Sequence, residues 1–215
     1  MTTPTHYYQT RFTHDPNRKR VWQEVVRYIS RDIVDHTSIL DLGCGYGDFI
    51  NTVRADRKVA VDLHDGLRGY LAQDVNFVCG DCANLAFLEN ESMGTVFASN
   101  LLEHLQRDRI LTLLAEIRRV LRPGGRLILI QPNFRLCSKN YFDDYTHVTV
   151  FSDISLCNLL QAEGFDICRC TPGLLPFSMK SYLPKHPLMV RLFLNSPVRP
   201  LARQMYVVAE NLRKG

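Results

Sequence analysis

The sequence predicts an α/β domain built on a parallel sheet with helices on both faces. Three observations carry that expectation. Apolar runs of strand length alternate with segments whose apolar residues recur at helical spacing. The turns between them are short, as in repeated strand–helix units. Asp41, Asp62, Asp81 and Asn100 each follow or close one of the runs, at the strand ends where ligands of such sheets gather.

The elements follow in order. Val21, Trp22, Val25, Val26 and Ile29 set a helix over Arg18–Asp32. Ser38–Leu42 is an apolar strand, followed by a glycine turn and a helix over Gly47–Arg54. Lys58–Asp62 is the second strand, Leu67–Gln73 a helical segment, and Asn76–Cys79 the third strand, closed by Gly80-Asp81-Cys82. Met93–Ala98 is the fourth. A long helix capped by Asp108 ends at Arg122, where Pro123-Gly124-Gly125 stops it before the fifth strand, Arg126–Ile130. Gln131–Val150 is a polar and aromatic connection. Ser152 caps a helix over Asp153–Glu163, Gly164 ends it, and Phe165–Cys170 and Met205–Glu210 are the last strands.

The stretch Asp41-Leu42-Gly43-Cys44-Gly45-Tyr46-Gly47 organises the rest. Glycines on alternate positions permit a tight turn and let a ligand approach the backbone. The free N–H groups of a following helix would receive its polar end. A dinucleotide fingerprint G-x-G-x-x-G would need its third glycine where Asp48 stands. Asp41 adds a carboxylate suited to an ammonium or hydroxyl-bearing ligand, so a nicotinamide cofactor is the weakest reading.

Composition narrows the classes further. At 215 residues the chain fits a single domain. The net charge of +4 is mild and the one basic run is Arg18-Lys19-Arg20, so a nucleic-acid partner is not expected. No apolar stretch reaches the length of a membrane span, and the first residues lack the apolar centre of a secretory signal. Seven cysteines, an odd number, suit reduced thiols in a cytoplasmic protein.

The stretch Asp41–Phe49 resembles the first motif of the class I S-adenosylmethionine (SAM)-dependent methyltransferases, and the order of motifs resembles that family over Ser38–Phe165. Glu103-His104-Leu105 and Leu121-Arg122-Pro123-Gly124-Gly125 are similar to further signatures of it. The resemblance implies a doubly wound, mostly parallel sheet of seven strands with the last, Met205–Glu210, antiparallel. It implies that Asp41, Gly43, Cys44, Gly45 and Gly47 hold the amino-acid end of SAM. Asp62, with Leu63 beside it, would accept hydrogen bonds from the ribose hydroxyls. Asp81 and the backbone of Cys82 would take the adenine, and Asn100 and Leu101 would lie along the cofactor. A narrower resemblance, to a bacterial subgroup associated with polysaccharide and glycolipid assembly, rests on the Tyr-rich N-terminal segment, the Tyr-Asp-x-Thr-His stretch and the C-terminal Met-Tyr-Val-Val-Ala.

On this reading 1–35 is a lid segment and helix, 36–170 the cofactor-binding core, 171–204 a basic, apolar insertion or cap, and 205–210 the final strand. His147 is the candidate general base, placed past the fifth strand in a polar-aromatic loop; its alternative is to bond Asp143 or Asp144 and fix that loop. Tyr7, Arg11, His104 and Tyr145 are candidate substrate contacts. No metal is expected: the C-x-x-C pair Cys79/Cys82 and the C-x-C pair Cys168/Cys170 sit on separate strand ends, and Asp143-Asp144 reads as a solvated loop pair. Thr171–Gln204 lies within a stretch, Ile167 to Ala209, that holds six Lys or Arg and no acidic residue. It would admit an anionic acceptor, lie peripherally on a membrane surface, or join two copies of the chain as a homodimer. The expected function is methyl transfer to a small-molecule or glycoconjugate acceptor, at oxygen. An RNA or protein methyltransferase and a non-catalytic SAM-binding domain are the alternatives.

Overall fold

A computed structural model of the chain describes residues 14–15, 18–34, 37–176 and 186–212. Its centre is one seven-stranded sheet in the order β3-β2-β1-β4-β5-β7-β6. The strands are β1 (Ser38–Leu42), β2 (Arg57–Asp62), β3 (Val75–Cys79), β4 (Met93–Ser99), β5 (Leu121–Pro132), β6 (Phe165–Pro176) and β7 (Ala202–Asn211). Pairings among β1 to β5 are parallel, whereas β7 lies antiparallel between β5 and β6. The helices are α1 (Arg18–Ile29), α2 (Arg107–Val120), the single turn α3 (Phe134–Cys137), α4 (Asp153–Ala162) and α5 (Pro187–Asn195).

Strand side chains alternate between the two faces, and each face has its own core. Leu40, Leu127, Leu129 and Val207 pack with Ile110, Leu113 and Leu114 of α2 and with Leu156 of α4. Ile39, Ile128, Ile130 and Val208 pack with Val21, Trp22 and Ile29 of α1 and Leu194 of α5. A bidentate ion pair, Arg191 Nε and Nη2 to the Glu24 carboxylate at 2.8 and 2.9 Å, fastens α5 to α1.

Four local expectations are corrected. The segment after the glycine turn is a run of turns rather than a helix. Ile50, Thr52 and Val53 are β-branched, and two side chains compete for backbone groups: Asn51 bonds Tyr70 O and the Ala72 N–H, and Thr52 Oγ1 bonds Asp48 O. Leu67–Gln73 tightens into a 3-10 segment over Asp65–Tyr70. Asp108 is not the cap of α2; Gln106 holds that position without a side-chain bond, and Asp108 lies in the first turn, where its charge suits the helix dipole.

Finally, Pro123-Gly124-Gly125 does not follow the helix but bulges inside β5. Leu121 already pairs with Met93 before the register resumes at Thr95 and Arg126. A Cβ on Gly125 would stand 2.8 Å from Arg122 O, so only glycine fits there. β6 and β7 both run beyond their expected ends into the 171–204 segment, whose described middle carries α5.

Ser152 caps α4 as expected, in a reciprocal arrangement with Ser155. Ser152→Ala should therefore lower unfolding stability by about 1 kcal/mol, read as a shift of the urea midpoint at constant slope.

Candidate active site

Asp41, buried between Leu40 and Leu42 on β1, shares the Ile39 face of the strand. Burial holds its carboxyl well above the ordinary carboxylate range; Asp62 and Asp48 add to that, while the Ile50 backbone N–H opposes it. It lies beneath the turn, 2% exposed.

Above it, Gly43, Gly45 and Gly47 all adopt left-handed backbone, with φ of +66°, +52° and +74°. Their spacing therefore has a conformational cause. A Cβ on Gly47 would meet Leu71 at 2.5 Å. The turn is tied to β2: the Gly43 and Cys44 N–H groups donate to Val61 O, and the Gly45 N–H donates to Asp62 Oδ2 at 3.0 Å. The other Asp62 oxygen accepts the His64 N–H at 3.1 Å. Leu63, next to it, is an apolar side chain left 62% exposed. Burial pushes the Cys44 thiol up, and it pushes the Cys82 thiol up to about 12.

Asp81, beyond β3, accepts the Ala83 N–H and pairs with Arg109 of α2. Asn100, beyond β4, also has left-handed backbone, at φ +50°, and its Oδ1 accepts Gln204 Nε2 at 2.6 Å. Leu101 lies over the turn, its Cδ1 3.0 Å from where a Gly43 Cβ would stand. Three features of this end went unread in the sequence. His14, Tyr46 and Tyr70 form an aromatic cluster at the turn, with ring centroids 4.8 to 5.2 Å apart. Arg18 at the start of α1 pairs with Asp48 at 2.7 Å. Gln131 on β5 is buried, and among the described residues neither atom of its amide has a partner.

The segment after Leu101 leads into a second group. Residues 102–104 form a 3-10 turn on which the 141–149 loop is stitched: the Val148 and Thr149 N–H groups donate to Glu103 O, and Thr149 Oγ1 donates to Leu105 O. His104 and His147 are thereby brought to a ring distance of 5.0 Å.

Their hydrogen bonds set their tautomers. His147 Nδ1 lies 2.7 Å from the Tyr141 carbonyl, which only accepts, so Nδ1 carries the hydrogen. Thr146 Oγ1 donates to Asp144 Oδ1 at 2.6 Å and so accepts from His104 Nδ1 at 2.9 Å. A neutral imidazole with this tautomer carries its lone pair on Nε2. Burial, with His147 next, pushes His104 down to about 4.

Glu103 is 2% exposed, and burial pushes its carboxyl up to about 8, with Asp144 contributing. Asp143 accepts from Asn140, and the His147 backbone N–H donates to Asp144 O at 3.2 Å within the loop. Tyr145 stands 63% exposed, and Tyr141 rather than Tyr145 packs its ring against His147, at 4.6 Å. Tyr7 and Arg11 lie outside the described residues.

Residues 40–129, spanning β1 to most of β5, match the family model described as a methyltransferase domain. Over these residues the chain is similar to that methyltransferase-domain family. The domain is 29% identical over 145 residues to the biotin biosynthesis bifunctional protein BioHC of Cellvibrio japonicus, covering 62% of this chain and 28% of that protein. It is 27% identical over 165 residues to a carboxy-S-adenosyl-L-methionine synthase of Shewanella sp., covering 70% and 63%. Each match spans less than two thirds of the relative. The crystal structure of a SAM-dependent methyltransferase from Archaeoglobus fulgidus superposes with a TM-score of 0.68, covering 98% of this chain and 100% of that one, at 17% identity. At that identity the likeness is one of fold, and the fold of the methyltransferase domain is the Rossmann-like class I sheet described above.

Proposed function

We propose that the chain is a SAM-dependent methyltransferase acting at an oxygen of a small-molecule or glycoconjugate acceptor. The observation that carries the reading is the clasp between Asp62 and Gly45. A buried carboxylate at the end of β2 holds the glycine turn at the end of β1, inside a domain that matches a methyltransferase family. On this reading the Asp62 carboxylate would receive the ribose diol, and Asp41 and the turn would receive the amino-acid end of the cofactor. Leu101 and Asn100 then lead from the cofactor to the imidazoles of His104 and His147.

Methyl transfer from a sulfonium is an in-line displacement, and holding the two reactants in line supplies roughly 7–11 kcal/mol of the barrier reduction. The segment after β4, packed on Gly43 at one end and on the 141–149 loop at the other, is placed to do this. It lacks the Asn-Pro-Pro-Tyr type of motif used on base amines, which favours oxygen over a nucleobase nitrogen. The lone pair on His147 Nε2 is what a general base needs, and equally what a metal ligand needs.

The test is incubation of the full chain with methyl-labelled SAM and a panel of sugars, phosphosugars and lipid-linked hydroxyl acceptors. Transfer of label to a hydroxyl, with one S-adenosylhomocysteine released per methyl, is the expected result. Binding of the cofactor with no transfer across the panel, to RNA or to protein substrates would make this a cofactor-binding domain instead. The similarity to a carboxy-S-adenosyl-L-methionine synthase over 70% of the chain favours one second reading, that SAM itself is the molecule modified. Mass spectrometry of SAM after incubation without an acceptor separates the two.

A further inference from the structure

We infer that Glu103, His104 and His147 form a binding site for one divalent transition-metal ion at the acceptor end of the active site. One ligand atom from each of the three lies within 4.8 Å of those of the other two. Glu103 Oε1 and His104 Nε2 are 4.0 Å apart, too far for a hydrogen bond. An ion with bonds of about 2.1 Å reaches both.

Glu103 supplies the independent observation. Its side chain is 2% exposed, and neither carboxylate oxygen has a hydrogen-bond partner among the described residues. A buried carboxyl in that state is costly unless something enters to pair with it. The two histidines are oriented as ligands are. Each Nδ1–H is spent on an oxygen, Tyr141 O for His147 and Thr146 Oγ1 for His104, and Thr146 is itself anchored on Asp144. Such outer bonds fix the tautomer and present Nε2 to a metal.

Two imidazoles and one carboxylate suit an ion such as Zn²⁺, Fe²⁺ or Mn²⁺ better than Mg²⁺, which prefers oxygen ligands and water. Three protein ligands leave positions open for an acceptor oxygen. This role rests on the proposed methyl transfer, and it gives His147 the part of a ligand in place of a general base. The ion acidifies the bound hydroxyl, which releases its proton to solvent. The oxygen then forms its bond to the methyl carbon as the carbon–sulfur bond breaks, and the electron pair stays on sulfur. The expectation of no metal, drawn from cysteine and aspartate spacing, could not see this site, because Glu103 and His147 meet only through the loop stitching.

The experiment uses the EDTA-dialysed full chain titrated with Co²⁺, whose visible absorption reports nitrogen and oxygen ligation, in parallel with Zn²⁺ calorimetry. One equivalent is expected to bind. Glu103→Gln and His147→Ala, each checked for folding by thermal melting, should lose that stoichiometric binding, and Thr146→Val should weaken it roughly tenfold. Removing the buried carboxylate should also leave metal-free Glu103→Gln at least as thermally stable as the parent. Absence of binding up to millimolar Co²⁺, or unchanged binding in both ligand variants, would overturn the site. Titration with S-adenosylhomocysteine on the same metal-free protein keeps the two readings apart. Cofactor binding without Co²⁺ binding removes the metal site alone, and Co²⁺ binding without cofactor binding removes the methyltransferase reading alone.

Discussion

Asp62→Ala should abolish micromolar binding of S-adenosylhomocysteine, weakening it roughly 100-fold or more. Two charge-assisted hydrogen bonds to ribose hydroxyls, at about 1.5–3 kcal/mol each, set that scale. The same carboxylate holds the Gly45 N–H at 3.0 Å and the His64 N–H at 3.1 Å, so its removal also unties the glycine turn from β2. Asp62→Asn separates these effects. An amide oxygen still accepts one of the backbone donors, so the variant should keep most of its folding stability while losing much of its affinity. Isothermal titration calorimetry of the parent and both variants, with NADH as a control ligand, makes the measurement. Retention of affinity within threefold by a folded Asp62→Ala protein would refute the role of this residue.

Phe97→Ala should lower unfolding stability by about 3–5 kcal/mol. Phe97 is 1% exposed on the central strand β4, on the face covered by α1. Its ring stacks on Phe49 with centroids 3.8 Å apart and meets Trp22 edge-on at 6.2 Å. One side chain thus joins α1, the sheet and the residues just after the glycine turn. A domain of ordinary stability, about 5–15 kcal/mol, would lose a large share of it. Because Phe49 follows Gly47 by two positions, the turn also loses part of its floor, and cofactor affinity should fall with stability. Urea unfolding with an unchanged slope and a lower midpoint would report the core loss. A change under 1 kcal/mol would mean that the surrounding side chains collapse into the space.

The sequence by itself determined the glycine-turn end of the sheet. Periodicity placed β1 to β4 to within one residue at each end, because buried strands read as apolar runs that stop where they meet water. The spacing of Gly43, Gly45 and Gly47 is legible for a local reason: each needs a left-handed backbone that other residues rarely adopt. The capping of α4 by Ser152 is local in the same sense.

Tertiary structure decided what local pattern leaves open. The apolar stretch after the turn does not form a helix, because the Asn51 side chain finds partners around Tyr70 and Ala72, some twenty positions away. β5 begins at Leu121, since Met93 on the neighbouring strand offers a pairing partner there. The cluster of Glu103, His104 and His147 depends on such contacts throughout. The buried, unpartnered state of Glu103, and the approach of His104 to a histidine more than forty positions later, follow from backbone hydrogen bonds between the 102–104 turn and the 141–149 loop. Hydrogen bonds across that distance leave no period in the chain. The glycine turn could therefore be read from residue types and spacing, while the cluster of Glu103, His104 and His147 appeared only when the loop was folded onto the 102–104 turn.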